Sequence, residues 1–204
     1  MIARRLLLLA AALFAGAVAA QDFPPKKPVT MLVGFAPGGA ADAAARLIAK
    51  HLAENIGQSI VVENKGGAGG NIAHQQAAQG PADGSMLLLG SIGPLTIAPH
   101  MMKLPYDPFK DLAPITGAVY FPSVLVVNAA TGPKTLAEFI ALAKSKPGYM
   151  TMASAGNGSP QHLAGEMFKR TAGVDILHVP YKGSGPAMTD LMGGQVLSMI
   201  ETVP

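Results

Sequence analysis

The sequence predicts an α/β fold built on mainly parallel sheet, and three observations carry that prediction. Short, nearly continuous apolar runs recur, as at 29–35 and 86–90, which is how strands buried on both faces read. Runs of this kind alternate with segments whose apolar residues fall at helical spacing, such as Leu47, Ile48 and Leu52 within 43–55. Short loops join the two, and strand–helix repetition of this kind closes parallel sheets with helices on their faces. Half of the residues are hydrophobic but only 5% are aromatic and Trp is absent, so small residues dominate and suit closely packed layers.

In order along the chain, the first strand spans 29–35. Asp42 is the expected N-cap of a helix over 43–55, with Gly57 as its stop. A second strand spans 60–64. The glycine-rich stretch 65–71 reads as a flexible connection that permits positive φ, with Asn71 capping a short helix over 72–79. Residues 81–84 form a turn and 86–90 a third strand. From 94 to 117, Pro94, Pro99, Pro105, Pro108 and Pro114 break regular structure, so this segment reads as a crossing between domains.

A second alternating series follows. It has strand 124–128, a helix from the capping box Thr135–Glu138 to about Lys144, strand 150–153, helix 160–171, strand 176–179, helix 186–192 and strand 196–201. The sequence reaches Pro204 just after that strand with no return across the crossing segment. The expectation is therefore a truncated chain with an incomplete first lobe.

Residues 1–20 read as a signal peptide: Arg4 and Arg5, an apolar run over 6–18 too short to span a membrane comfortably, and small residues leading to a cut near Ala20. That predicts export to the periplasm. The segment holds two arginines and no acid, so its removal takes the net charge from +3 to +1. The basic balance is then no argument for nucleic acid, and no Lys/Arg block adds one. The chain has no Cys, which excludes disulfides, thiolate metal sites and Cys nucleophiles.

The chemistry is concentrated in glycine-rich loops set between a strand and a helix. They are 35–42 with Gly38, Gly39, Ala40, Ala41 and Asp42; 154–159 with Ser154, Gly158 and Ser159; and 181–185 with Lys182. Glycine lets a backbone approach a ligand closely, and a helix start offers unpaired N–H groups and partial positive charge. Such loops are anion sites in waiting. The dinucleotide fingerprint and the P-loop are both missing. Ser91 lies in Gly90-Ser91-Ile92-Gly93, without the spacing of a nucleophile elbow. No H-x-x-x-H pair or acid cluster suggests a metal, and no catalytic residue or cofactor is expected. His162, one turn into its helix, reads as structural. An exported serine hydrolase using Ser91 or Ser154 is the rival enzyme reading, and a sensory module for a membrane kinase the rival binding one.

Several stretches occur together in a recognisable order. They are Pro37-Gly38-Gly39 with Asp42 and Arg46; Val61-Val62-Glu63-Asn64-Lys65 with 67–72; Leu104-Pro105-Tyr106-Asp107-Pro108; 154–162; and His178-Val179-Pro180-Tyr181-Lys182-Gly183. This set resembles the Bug (Bordetella uptake gene) family, the substrate-binding proteins of tripartite tricarboxylate transporters. The resemblance implies a type II periplasmic-binding-protein fold, a Venus flytrap of two lobes with mixed, mainly parallel sheets. Lobe one with the crossing segment would span 26–120 and lobe two 121–204. The lobes would close on a small organic carboxylate held by the 38–42 and 154–159 loops, as a monomer working with the transporter's membrane subunits. The sequence departs from the family pattern at Ala41, at Ser91-Ile92-Gly93-Pro94 and at Glu201, each expected to face the cleft.

Overall fold

The computed structural model describes residues 23–130 and 132–203, so the expected signal peptide lies outside the described residues. Two sheets organise the chain. The first holds β1 (Val29–Val33), β2 (Ile60–Asn64) and β3 (Met86–Leu89) in the order β2-β1-β3, all parallel. Parallel neighbours need a crossover, and α1 (Ala40–Ile56) and α2 (Asn71–Ala78) supply it. β1 is central and buried, and Met31 and Val33 pack on Ala45 and Ala49 of α1, whose small side chains let helix and sheet close up.

The second sheet runs β4-β7-β5-β6: β4 (Ser123–Val127), β5 (Thr151–Ser154), β6 (Leu177–Pro180) and β7 (Ser198–Thr202). Only β4 is antiparallel to its neighbour, with Val124 opposite Glu201. The helices here are α4 (Leu136–Ser145), α5 (Pro160–Ala172) and α6 (Ser184–Met192). Strand alternation divides the core into two layers. Met152 and Ile200 join Phe139 and Ala143 of α4 on one face, while Ala153 and Met199 meet Ala187 and Leu191 of α6 on the other.

The structure corrects several expectations from sequence. α1 begins at Ala40 with Gly39 in the cap position, so Asp42 lies in the first turn instead of capping it. Asn71 is the first residue of α2 and not its cap; its Nδ2 donates to the Ala68 carbonyl at 2.7 Å. The proline-rich crossing is partly helical. A π turn over Gly93–Ile97 leads into α3 (Ala98–Met101), with Pro94 and Pro99 in first turns where a missing N–H costs nothing. Beyond it, 102–122 carries neither helix nor strand. α6 starts two residues before Pro186, and β7 starts two residues after Val196.

Candidate functional site

Loops at the carboxyl ends of the parallel strands meet one another. The Ala36 N–H, after β1, donates to the Lys182 carbonyl, after β6, at 2.9 Å. Gly69, between β2 and α2, lies so close to Asn157 that a Cβ would overlap its carbonyl, and Gly93 bears in the same way on Gly158. Beside these contacts a cavity of about 460 Å³ opens, lined by Gly67 and Ala68 from the first sheet and Gly156, Asn157, Tyr181 and Lys182 from the second. That volume suits a small ligand. Ala68 holds φ at 48°, a left-handed conformation costly for a side chain, and such strain concentrates at ligand clamps.

The 38–42 loop is fixed by a network around Asp42, which is 6% exposed. Its Oδ2 accepts from the Gly38 N–H and from Arg46 Nε, both at 3.1 Å. Its Oδ1 accepts from Asn64 Nδ2 at 3.0 Å and pairs with Arg46 Nη2 at 2.9 Å. Asn64 also donates to the Phe35 carbonyl, tying the end of β2 to the loop after β1. Burial pushes the Asp42 pKa up, but the bonds from Arg46, Gly38 and Asn64 outweigh it and hold the carboxyl below its ordinary value. Ala40 and Ala41 stand in the first turn of α1, whose leading N–H groups have no partner within the helix.

In the second loop both serine hydroxyls are engaged within the protein. Ser154 is 1% exposed; its Oγ accepts from the Gly156 N–H at 3.1 Å and bonds His178 Nε2 at 2.7 Å. The gap beside it measures about 10 Å³, room for one water and no substrate, which removes the basis for Ser154 as a nucleophile. Ser159 is fully buried and caps α5, its Oγ accepting from the His162 N–H at 3.2 Å. Ser159→Ala is therefore expected to cost about 1 kcal/mol of stability through the lost cap, read as a lower urea midpoint.

Lys182 is exposed and its ammonium meets no acceptor among the described residues. Its loop is held by Tyr181, whose hydroxyl donates to Asp190 Oδ2 at 2.7 Å; burial and that carboxylate push the phenol up to about 12. Of the site residues expected from sequence, only Lys182 belongs to the cavity lining; Gly38 to Asp42, Ser91, Ser154, Gly158, Ser159 and Glu201 stand apart from it. Ser91 Oγ is buried without a partner among the described residues. Glu201 is buried: its Oε1 accepts from the Thr202 N–H and hydroxyl, both at 2.8 Å, while its Oε2 has no partner among the described residues.

Sequence reasoning missed three contributors. The 65–71 stretch, read as a plain connection, lines the cavity. His74 is fully buried and bridges two loops: Nδ1–H donates to the Gly70 carbonyl at 2.9 Å while Nε2 accepts from the Ser91 N–H at 3.2 Å. Burial keeps it neutral by lowering its pKa, as that bonding requires. His162 is not a lone helical histidine but stacks on His178, ring centroids 4.0 Å apart. Its position four residues after Gly158 was the available signal. Among the described residues, no group of three His, Asp or Glu side chains could hold a metal.

A family model described as the tripartite tricarboxylate transporter family receptor matches residues 44–204. The chain belongs to that family. It is 40% identical over 200 residues to protein BugT of Bordetella pertussis, covering 97% of this chain and 61% of that protein. A protein encoded in the tcbD-tcbE intergenic region of Pseudomonas sp. strain P51 is 41% identical over 89% of this chain and 54% of its own length. Among solved structures, MatC of Rhodopseudomonas palustris with bound malate superposes with a TM-score of 0.82 at 36% identity, covering 87% of this chain and 61% of MatC. A second R. palustris protein, solved with adipate, gives 0.82 at 37% identity over 90% and 61%. The chain thus spans somewhat over half the length of these receptors. As a member of this receptor family it carries the α/β fold of periplasmic binding proteins.

Proposed function

We propose that this receptor captures a small organic carboxylate between its two sheets and delivers it to the membrane subunits of a tripartite tricarboxylate-type transporter. One observation carries the reading: loops preceding helices in both sheets converge on a cavity whose lining holds a single ionised side chain, the cation Lys182. Backbone N–H groups and an ammonium bind carboxylate oxygens strongly because one partner of each bond is charged. The malate and adipate bound by the two R. palustris receptors support a dicarboxylate of four to six carbons. In this reading residues 26–120 form one lobe and 121–204 the other, and closure of the lobes excludes water from the site. The protein works in the periplasm as a monomer, released from a leader cut near Ala20.

The experiment is thermal unfolding of the chain against di- and tricarboxylates, acidic amino acids and aromatic acids. A saturable rise in melting temperature with malate, adipate or a near relative is the expected result. A cooperative melt that no acid shifts would overturn the reading.

A further inference from the structure

The two glycine loops are built on one plan. In each, a glycine with positive φ precedes the helix cap, Gly38 at 91° and Gly158 at 77°. In each, the third helical residue reaches back to accept that glycine's N–H, four residues away. Asp42 Oδ2 does so for Gly38, and His162 Nδ1 for Gly158, both at 3.1 Å. This is a capping box displaced by one residue, and in the second loop the cap serine completes it by accepting from the His162 N–H. The difference lies in the acceptor: a permanent anion in one loop, a titratable ring in the other.

We propose that His162 is a positioning residue that holds the 154–159 loop in its ligand-ready shape only while its Nδ1 is unprotonated, so that acid loosens the second loop and leaves the first intact. The inference rests on the carboxylate-capture reading. An imidazole nitrogen accepts an N–H only through its lone pair, so His162 must carry its proton on Nε2; a second proton, on Nδ1, ends the bond to Gly158. His178 of β6 stacks beneath it at 4.0 Å and fixes the plane of the ring while bonding Ser154 at the loop's other end. The remaining charged groups around the pair are Glu166 and Lys169 of α5, themselves joined at 2.7 Å; β5 adds the uncharged Met152, Ala153 and Ser154. Burial lowers the pKa of both rings, His178 to about 4 with the neighbouring His162 adding to the shift, and outweighs the opposing pull of Glu166.

The test is a proton–nitrogen correlation titration of the full chain from pH 8 to 4.5, following the Gly38 and Gly158 amides and the imidazole Cε1 protons. The expected result is a His162 midpoint below 6.5, a Gly158 amide that moves with that midpoint, and a Gly38 amide that stays still. His162→Asn retains a non-titrating acceptor, so its Gly158 amide should hold the bonded position at every pH; in His162→Ala it should hold the released one. A Gly158 amide that ignores His162 titration would overturn the proposal.

Affinities for malate and adipate at pH 7.5 and at about one pH unit below the His162 midpoint found in the titration supply the second readout. Wild type should weaken about fivefold more than His162→Asn, the loss of one hydrogen bond, the variant correcting for the acids' own titration. Equal pH profiles in the two proteins would sink the positioning role and leave carboxylate capture standing. A Gly158 amide that tracks His162 with neither acid bound at pH 7.5 would support the clamp and count against the carboxylate reading.

Discussion

Asp42→Ala is expected to lower the unfolding free energy by about 2–3 kcal/mol, measured by urea denaturation at pH 7. The substitution strands the Gly38 N–H and removes one acceptor from the Asn64 amide, which keeps its bond to Phe35. Arg46 contributes less, because its side chain is 54% exposed and water replaces its partner. Asp42→Asn keeps one acceptor and should lose roughly half as much. The pH dependence has a definite sign. The carboxyl titrates lower in the folded chain than its ordinary 3.8, so the unfolded chain takes up the proton first as pH falls. The advantage of wild type over Asp42→Asn is therefore fully present above about pH 4 and shrinks as pH drops through the lowered folded value. A difference that does not change between pH 7 and 3 would show that the charge on Asp42 contributes nothing to the loop.

Elements whose signal is local were legible in the sequence. β2 falls on residues 60–64 as expected because a short β-branched run stands between a helix stop at Gly57 and the glycine-rich stretch. The Gly57 stop, left-handed, follows from glycine alone. Helix starts were harder, since an acid three residues into α1 satisfies the same loop that a capping acid would, and Asp42 serves from the inner position. Prolines were read as breakers at 94 and 99, where each opens a turn instead. The glycine-rich loops were legible in the sequence, but which of them line the cavity was not. Which glycines are hinges and which are contact points depends on the opposing backbone, as at Gly69 and Asn157. The His162–His178 stack joins residues of a helix and a strand that only the β5–β6 pairing brings together.

Gly185→Ala is expected to destabilise the chain by about 1–3 kcal/mol, although Ala is the better helix former by about 1 kcal/mol. Gly185 lies in the first turn of α6 with φ outside the left-handed region, so no backbone strain opposes the substitution. What opposes it is the loop after β1: a Cβ there would overlap the Pro37 carbonyl. Gly117→Ala, where a Cβ meets nothing, is the control and should be close to neutral. The sign of the Gly185 result separates two states of the molecule. A loss means that the loops of the two sheets are in contact in the ligand-free protein, so that part of the entropy of closure is already spent before the proposed ligand arrives. A gain of about 1 kcal/mol means that the ligand-free protein stands open and the helix keeps its preference for Ala. In that case the same substitution should weaken malate or adipate binding, because the overlap then falls on the closed state alone.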